Sequence, residues 1–167
     1  KSGWDDPALS DHDRPLNAKG ARAATAMGAQ VRHLGLKFDH LAASSATRVI
    51  ETLDHFRRGY GTLPEAPHER TLYLASAGTL LDAIRAFPAS ADHALLVGHN
   101  PGLEDLVLDL TLDGELRERV EDKYPTATVA QMTLPVDRWP DARAHSATLV
   151  AFIRPRDLDP TLGPDTP

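Results

Sequence analysis

The sequence predicts an α/β fold: a three-layer sandwich with a mainly parallel central sheet and helices on both faces. Three observations carry this expectation. Short apolar stretches alternate with helical segments of about ten to fifteen residues, the pattern of strand–helix–strand units. Three strand-to-helix turns share small or polar residues, at Ser44-Ser45, Ala75-Ser76 and His99-Asn100. The 167 residues show neither an internal repeat nor a Pro/Ser/Gly linker, so they read as one domain with a core of its own. In a parallel sheet such turns lie on one edge, which is where ligands bind in open α/β sheets.

The elements follow in order. Lys1 to Arg14 reads as a loop, with Gly3, Pro7 and several aspartates and no apolar period. Asn17 is an N-cap candidate for a helix whose buried side is Ala24, Met27, Val31 and Leu34 and which closes at Gly35. Gly20 and Gly28 are expected to allow close approach to a neighbour. Phe38 to Ala43 reads as a short strand, after which a serine caps a helix facing inward through Val49, Leu53 and Phe56. Gly59 to Glu69 is loop-like, Thr71 to Ala75 reads as a strand, and Ser76 caps a helix carrying Leu80, Leu81, Ile84 and Phe87 that Pro88 stops.

The chain is organised around the next stretch, Ala94-Leu95-Leu96-Val97-Gly98-His99-Asn100-Pro101-Gly102. Four apolar residues suit a buried strand. Asn100 is expected to cap, and Pro101 to open, a helix with Leu103, Leu106, Val107 and Leu110 inside, running to about Leu112. Asp113 to Lys123 is highly charged and reads as a solvated excursion or lid. Thr126 to Leu134 and Thr148 to Ile153 read as two final strands, and the tail from Pro155 as ordered only by contact with the body.

Composition narrows the function. The formal charge of −6 disfavours a phosphate-tracking nucleic-acid surface. No cysteine is present, which excludes disulfides, thiolate metal sites and cysteine nucleophiles, and suits a cytoplasmic location. No run approaches the length of a membrane span. None of the eight histidines shows His-Glu-x-x-His spacing, and neither a Walker loop nor a dinucleotide fingerprint occurs. No metal, cofactor, nucleic-acid or membrane partner is therefore expected, and a monomer is compatible with these features.

His99 ends a strand beside the free N–H groups of a helix start, a position that favours anions. Arg48 falls in the first turn of its helix, a poor place for a cation unless it shares a bound anion with that helix start. An arginine fork and an imidazole on one sheet edge could hold a phosphoryl group. Taken singly, Arg48 reads by default as a solvated surface arginine, and His99 reads equally well as an ordinary turn residue.

Ser44-Ser45-Ala46-Thr47-Arg48 with Glu51-Thr52, and Val97-Gly98-His99-Asn100-Pro101, resemble two signatures of the histidine phosphatase superfamily, whose fold is phosphoglycerate mutase-like. Ser10-Asp11-His12-Asp13-Arg14-Pro15-Leu16-Asn17, Leu72-Tyr73-Leu74-Ala75-Ser76 and Tyr124-Pro125-Thr126 extend the match, most closely toward the SixA-type phosphohistidine phosphatases. The resemblance covers nearly the whole chain in the expected order.

It implies a metal-independent phosphatase that works through a phosphohistidine intermediate. The implied substrate is a phosphorylated protein, carrying phosphohistidine, or a small phosphoester. Arg48 and His99 would be catalytic, and Arg14 a substrate contact at the pocket mouth, unless it only pairs with Asp11 or Asp13. Ser44 reads as a turn residue, and His12 as a loop residue unsuited to be the nucleophile. Family members open on a strand ending in Arg-His, and Lys1-Ser2-Gly3-Trp4-Asp5 resembles the segment just after it. Residues 1–167 are thus expected to form a single domain whose first strand and nucleophilic histidine lie upstream of Lys1. Larger relatives acting on alkyl phosphate esters use a carboxylic acid to protonate the leaving oxygen; Gly78 stands where one often occurs, and Glu104 reads as an acid suited to the first turn of its helix, so no residue is assigned that role. The competing readings are a non-catalytic module of this fold that captures phosphorylated ligands, and an unrelated α/β interaction domain in which Arg48 and His99 lie apart.

Overall fold

A computed structural model describes residues 2–3 and 8–163. Lys1, Trp4–Pro7 and the last four residues of the tail lie outside the described residues. Three parallel strands form the sheet: β1 (His40–Ser44) at the centre, β2 (His68–Glu69) on one side and β3 (Ala94–Val97) on the other. Helices α1 (Ala18–His33) and α2 (Thr47–Tyr60) cover one face; α3 (Ala77–Arg85) and α4 (Gly102–Leu110) cover the other. The three-layer sandwich expected from the sequence is thus the architecture found.

The period-2 geometry of a strand sorts the core between these faces. Leu41, Ala43, Leu95 and Val97 pack with Met27, Val31, Val49, Leu53 and Phe56. Their neighbours Ala42, Ala94 and Leu96 pack with Leu80, Ile84, Leu106 and Leu110. Asn17 caps α1 by accepting from the Gly20 N–H at 2.8 Å. Leu34 sits just past that helix and is exposed rather than on its buried side.

Three segments depart from the expected elements. Thr71 to Ala75 is not a strand: after two paired residues in β2 the chain turns through a 3₁₀ helix at Arg70–Leu72. Leu72 is buried between exposed Thr71 and half-buried Tyr73, so the turn imitates strand alternation. The charged excursion contains a helix, α5 (Glu115–Asp122), whose Leu116 and fully buried Val120 pack with Val107 and Phe152. Two apolar residues one turn apart suffice for a short amphipathic helix with its charged side in water. The tail forms α6 (Pro155–Leu158) and a further 3₁₀ turn, with Leu158 against the α1–α2 core.

The last two strands, β4 (Val129–Thr133) and β5 (Thr148–Ile153), pair antiparallel with a bulge between Gln131 and Met132. Val129 and Ile153 reach the same core as Val97, and Met132 the same core as Leu96. The two sheets therefore share both cores without a hydrogen-bonded strand pair joining them among the described residues. All four residues of β3 are half-buried, not buried as expected, because one long edge of this strand has no strand partner among the described residues. No described helix is long and apolar enough to cross a membrane.

α1 and α2 cross in backbone contact. A Cβ on Gly28 would lie 2.2 Å from the Phe56 carbonyl oxygen, and one on Gly59 would lie 2.1 Å from that of Thr25. Alanine gains about 1 kcal/mol of helix propensity over glycine, but here it must force two helices apart, which costs roughly 1–3 kcal/mol or more. Gly28→Ala is therefore expected to lower the urea midpoint of unfolding; an unchanged or higher midpoint would show that the helix pair yields freely.

Candidate active site

The β1–β3 register sets Leu41 beside Leu95 and Ala43 beside Val97, so the two strands end together. Ser44 closes β1; Gly98 and His99 follow β3. His99 is 9% exposed, and its Nε2 lies 2.7 Å from the Oγ of Ser44, which is fully buried. Arg48, in the first turn of α2, brings Nη2 to 3.3 Å from His99 Nδ1. Arg48 and His99, separated by 51 positions, thus meet over the end of the sheet.

This geometry fixes the imidazole tautomer. A guanidinium can only donate, so Nδ1 accepts from Arg48, and the ring proton sits on Nε2 and is donated to Ser44. Burial first, and the Arg48 charge second, push the His99 pKa down to about 4. The ring is therefore neutral at pH 7. Ser44 is more than a turn residue: its hydroxyl also accepts from the Ala46 N–H at 3.3 Å, which ties the ring to the helix start.

The helix starts also differ in detail from expectation. No serine side chain caps α2; Ala46 holds the cap position, and the Thr47 N–H donates to the His12 carbonyl at 3.0 Å. Pro101, not Asn100, precedes α4, which starts at Gly102, and the Asn100 amide donates to Glu104 at 2.9 Å. The Asn100–Pro101 peptide is cis.

The loop before α1 closes over Arg48. Asp11 takes Arg14 Nη1 on Oδ1 at 3.1 Å, and Arg48 Nη2 with the Tyr73 hydroxyl on Oδ2 at 3.0 and 2.6 Å. Its carbonyl accepts from Arg48 Nη1 at 2.5 Å. The Tyr73 hydroxyl, then the Arg48 and Arg14 charges, hold the Asp11 carboxyl below the ordinary range, while the same bond pushes the Tyr73 phenol up. An aspartate thus accounts for a cation at a helix N-terminus. Arg14 is buried and makes the ion pair with Asp11 that was the alternative to a substrate contact, and this pair also brings it to the Arg48 cluster.

Two residues of this cluster escaped sequence reading. Tyr73 stands edge-on to both His12 and His99, with ring centroids at 4.9 and 5.4 Å. His12 Nε2 lies 2.9 Å from Ser45 Oγ, so this loop residue belongs to the cluster. The available signal was position: Tyr73 and His12 lie inside motif segments, but neither has spacing that specifies a contact. Glu51 and Thr52 act as scaffold, receiving the Leu16 N–H at 2.5 Å and bonding back to the Arg48 carbonyl at 2.7 Å, respectively.

Beside His99 a cleft of about 210 Å³ is lined by Leu74, Ser76, Asn100, Gly102 and Asp105. Among the described residues no group of three His, Asp or Glu side chains is placed to hold a metal ion.

No protein-family model matches the chain. The chain is 32% identical to the uncharacterized protein Rv1276c of Mycobacterium tuberculosis over 160 residues, 93% of this chain and 98% of that one. It is 31% identical to the uncharacterized protein ML1117 of Mycobacterium leprae over 151 residues, 89% and 91% of the two chains. A candidate phosphohistidine phosphatase SixA from Nakamurella multipartitia superposes with a TM-score of 0.78 at 27% identity, covering 92% of this chain and 90% of that one. The chain has the fold of the histidine phosphatase superfamily. Its fold is of the SixA type, and a protein histidine phosphatase SixA complexed with tungstate shares that fold, with a TM-score of 0.78 at 20% identity over 95% and 94% of the chains. In this SixA-type fold Ser44, Arg48 and His99 meet at the ends of β1 and β3.

The lowered His99 pKa has a sign. Between about pH 4 and the unfolded value of 6.5 the unfolded chain binds more protons at this residue, so stability rises with pH across that window and levels off above it. An NMR titration should find His99 Cε1–H shifting near pH 4, and Arg48→Ala should move that midpoint upward. A midpoint near 6.5 in the unsubstituted chain would contradict the desolvated, arginine-facing ring.

Proposed function

We propose that this chain is the body of a metal-independent phosphatase that works through a phosphohistidine intermediate, with protein phosphohistidine as the preferred substrate class. The observation that carries the reading is the meeting of Arg48 and His99, 3.3 Å apart, at the ends of two parallel strands. Within the reading, Arg48 holds equatorial phosphoryl oxygens with its planar fork. His99 donates from Nδ1 once the incoming dianion raises its proton affinity, while Nε2–H stays on Ser44. Arg14, tied to the same carboxylate as Arg48, contributes further positive charge at the mouth.

The nucleophilic imidazole would arrive on an additional strand. The edge of β3 that has no strand partner among the described residues, with core residues from β3 and β4 packed on both sides of it, supports this placement. A buried strand edge otherwise leaves backbone groups without partners. That imidazole nitrogen attacks phosphorus, an N–P bond forms, and the bond to the leaving group breaks with its electron pair on the departing atom, which takes a proton. Water then cleaves the N–P bond and releases inorganic phosphate.

Leaving-group chemistry favours a phosphoramidate. The carboxyl nearest Arg48 belongs to Asp11, which is held ionised, the wrong direction for a general acid at neutral pH. Glu104 is bonded to the Asn100 amide. A phosphoramidate nitrogen can be protonated before departure and has less need of a protein acid.

The test uses protein from the full gene. Aryl phosphate and a phosphohistidine peptide should both be hydrolysed in chelator, the peptide with the higher kcat/KM. Acid-labile, base-stable labelling should appear on the enzyme. Arg48→Ala and His99→Ala should each lower kcat by about 10²–10³-fold, the range for removing one oxyanion donor. Loss of turnover in chelator, or near-normal turnover in both variants, defeats the proposal; tight phosphate binding without turnover identifies a capture module instead.

A further inference from the structure

We propose that the cleft beside His99 is the leaving-group subsite, and that Asp105 on its rim selects phosphoryl donors whose leaving group carries positive charge, such as a protonated N-phosphoimidazole. The inference rests on the reading of Arg48 and His99 as phosphoryl ligands and deepens it. His99 is both a wall of the cleft and the partner of Arg48, so a phosphoryl group held by these two has the cleft beside it. The group attached to phosphorus then meets the side chains of the cleft.

The walls divide by chemistry. Leu74 and Pro101 offer carbon surface, which suits the body of a flat ring. Leu74 is 57% exposed with a φ of 49°, a conformation disfavoured for any residue that carries a Cβ. Both of its neighbours are held: the Tyr73 hydroxyl donates to Asp11, and the Ala75 carbonyl lies against Gly102. Two polar walls are already engaged. Ser76 Oγ accepts from the Thr79 N–H at 3.2 Å, and the Asn100 amide donates to Glu104. Asp105 differs from them: it is exposed, and its carboxylate has no hydrogen bond or ion pair among the described residues. Among the described residues no lysine or arginine lines the cleft to balance it.

An uncompensated carboxylate here sorts leaving groups by charge. In an N-phosphoimidazole, one ring nitrogen carries phosphorus and the other can carry a proton. With that proton in place, the incoming nucleophile forms its bond to phosphorus and the old P–N bond breaks. The electron pair stays on the departing nitrogen, and the ring leaves as neutral imidazole with its far N–H intact. No proton is needed at the departing atom. A carboxylate beside the far nitrogen accepts that N–H and stabilises the cationic ring. The same carboxylate opposes an ester, whose leaving oxygen gains negative charge as its bond to phosphorus breaks. Asp105 therefore acts on the two substrate classes with opposite sign, as a specificity-determining residue and not as a general acid. Its exposure to water limits both effects to severalfold.

The experiment compares the full-gene protein with its Asp105→Asn variant, using N-phosphoimidazole and phenyl phosphate as probes at about pH 8, above the imidazole range. Asparagine keeps the side-chain shape and removes the charge. Asp105→Ser is a second charge deletion, with circular dichroism as the folding control for both. kcat/KM for N-phosphoimidazole should fall about three- to tenfold and that for phenyl phosphate should rise, so the ratio of the two falls. A merely structural role would lower both together and leave the ratio alone. A ratio that rises, or stays within about twofold, in either folded variant overturns the inference and leaves the phosphatase reading standing. Hydrolysis of neither probe by the unsubstituted protein overturns the phosphatase reading and the subsite with it.

Discussion

The parallel register between β1 and β3 is the constraint on which the site depends. Because side chains alternate along a strand, a slip of one residue would exchange the residues facing the two cores and carry Ser44 away from His99. Apolar packing therefore resists such a slip: Leu41, Leu95 and Val97 belong to one core and Ala42, Ala94 and Leu96 to the other. A polar contact of 2.7 Å is set, in this sense, by aliphatic residues that never touch it. The same register delivers the start of α2, and with it Arg48, to the imidazole.

Placing a cation against a desolvated imidazole is unfavourable unless something offsets it, and the fold supplies the offset through Asp11. The carboxylate joins pieces of chain that share no secondary structure: the loop before α1, the start of α2 and the 3₁₀ turn that carries Tyr73. The carbonyl of His12 meanwhile accepts from the start of α2, where no side chain caps the helix. The loop that carries the acid is thus also the cap of the helix that carries the arginine. Electrostatics and local folding are satisfied by the same few residues.

Much of this was legible in the sequence, and the limits have physical causes. The helix faces of α1, α2, α3 and α4 follow from their apolar spacing, and Asn17 and Ser76 cap as their side chains suggest. The convergence of Arg48 and His99 follows from topology alone, because parallel strands put their following turns on one edge. Tyr73 was not legible: its contact with Asp11 spans 62 positions and depends on a turn whose burial alternates like that of a strand. α5 was hidden by its charge, since two apolar residues, Leu116 and Val120, give it its inner side. The role of Ser44 was not legible either, because a small residue in a turn carries no mark of what its hydroxyl meets.

Gly102 has one more consequence. A Cβ at this position would sit 2.0 Å from the Ala75 carbonyl oxygen, so the start of α4 rests directly on the 75–76 turn. The bottom of the cleft is thus main chain on both sides, and main chain has no larger or smaller version to exchange. Divergence in the size of the accepted group must be written at the rim, in Leu74, Ser76 or Asp105, while the depth stays constant for as long as the fold does.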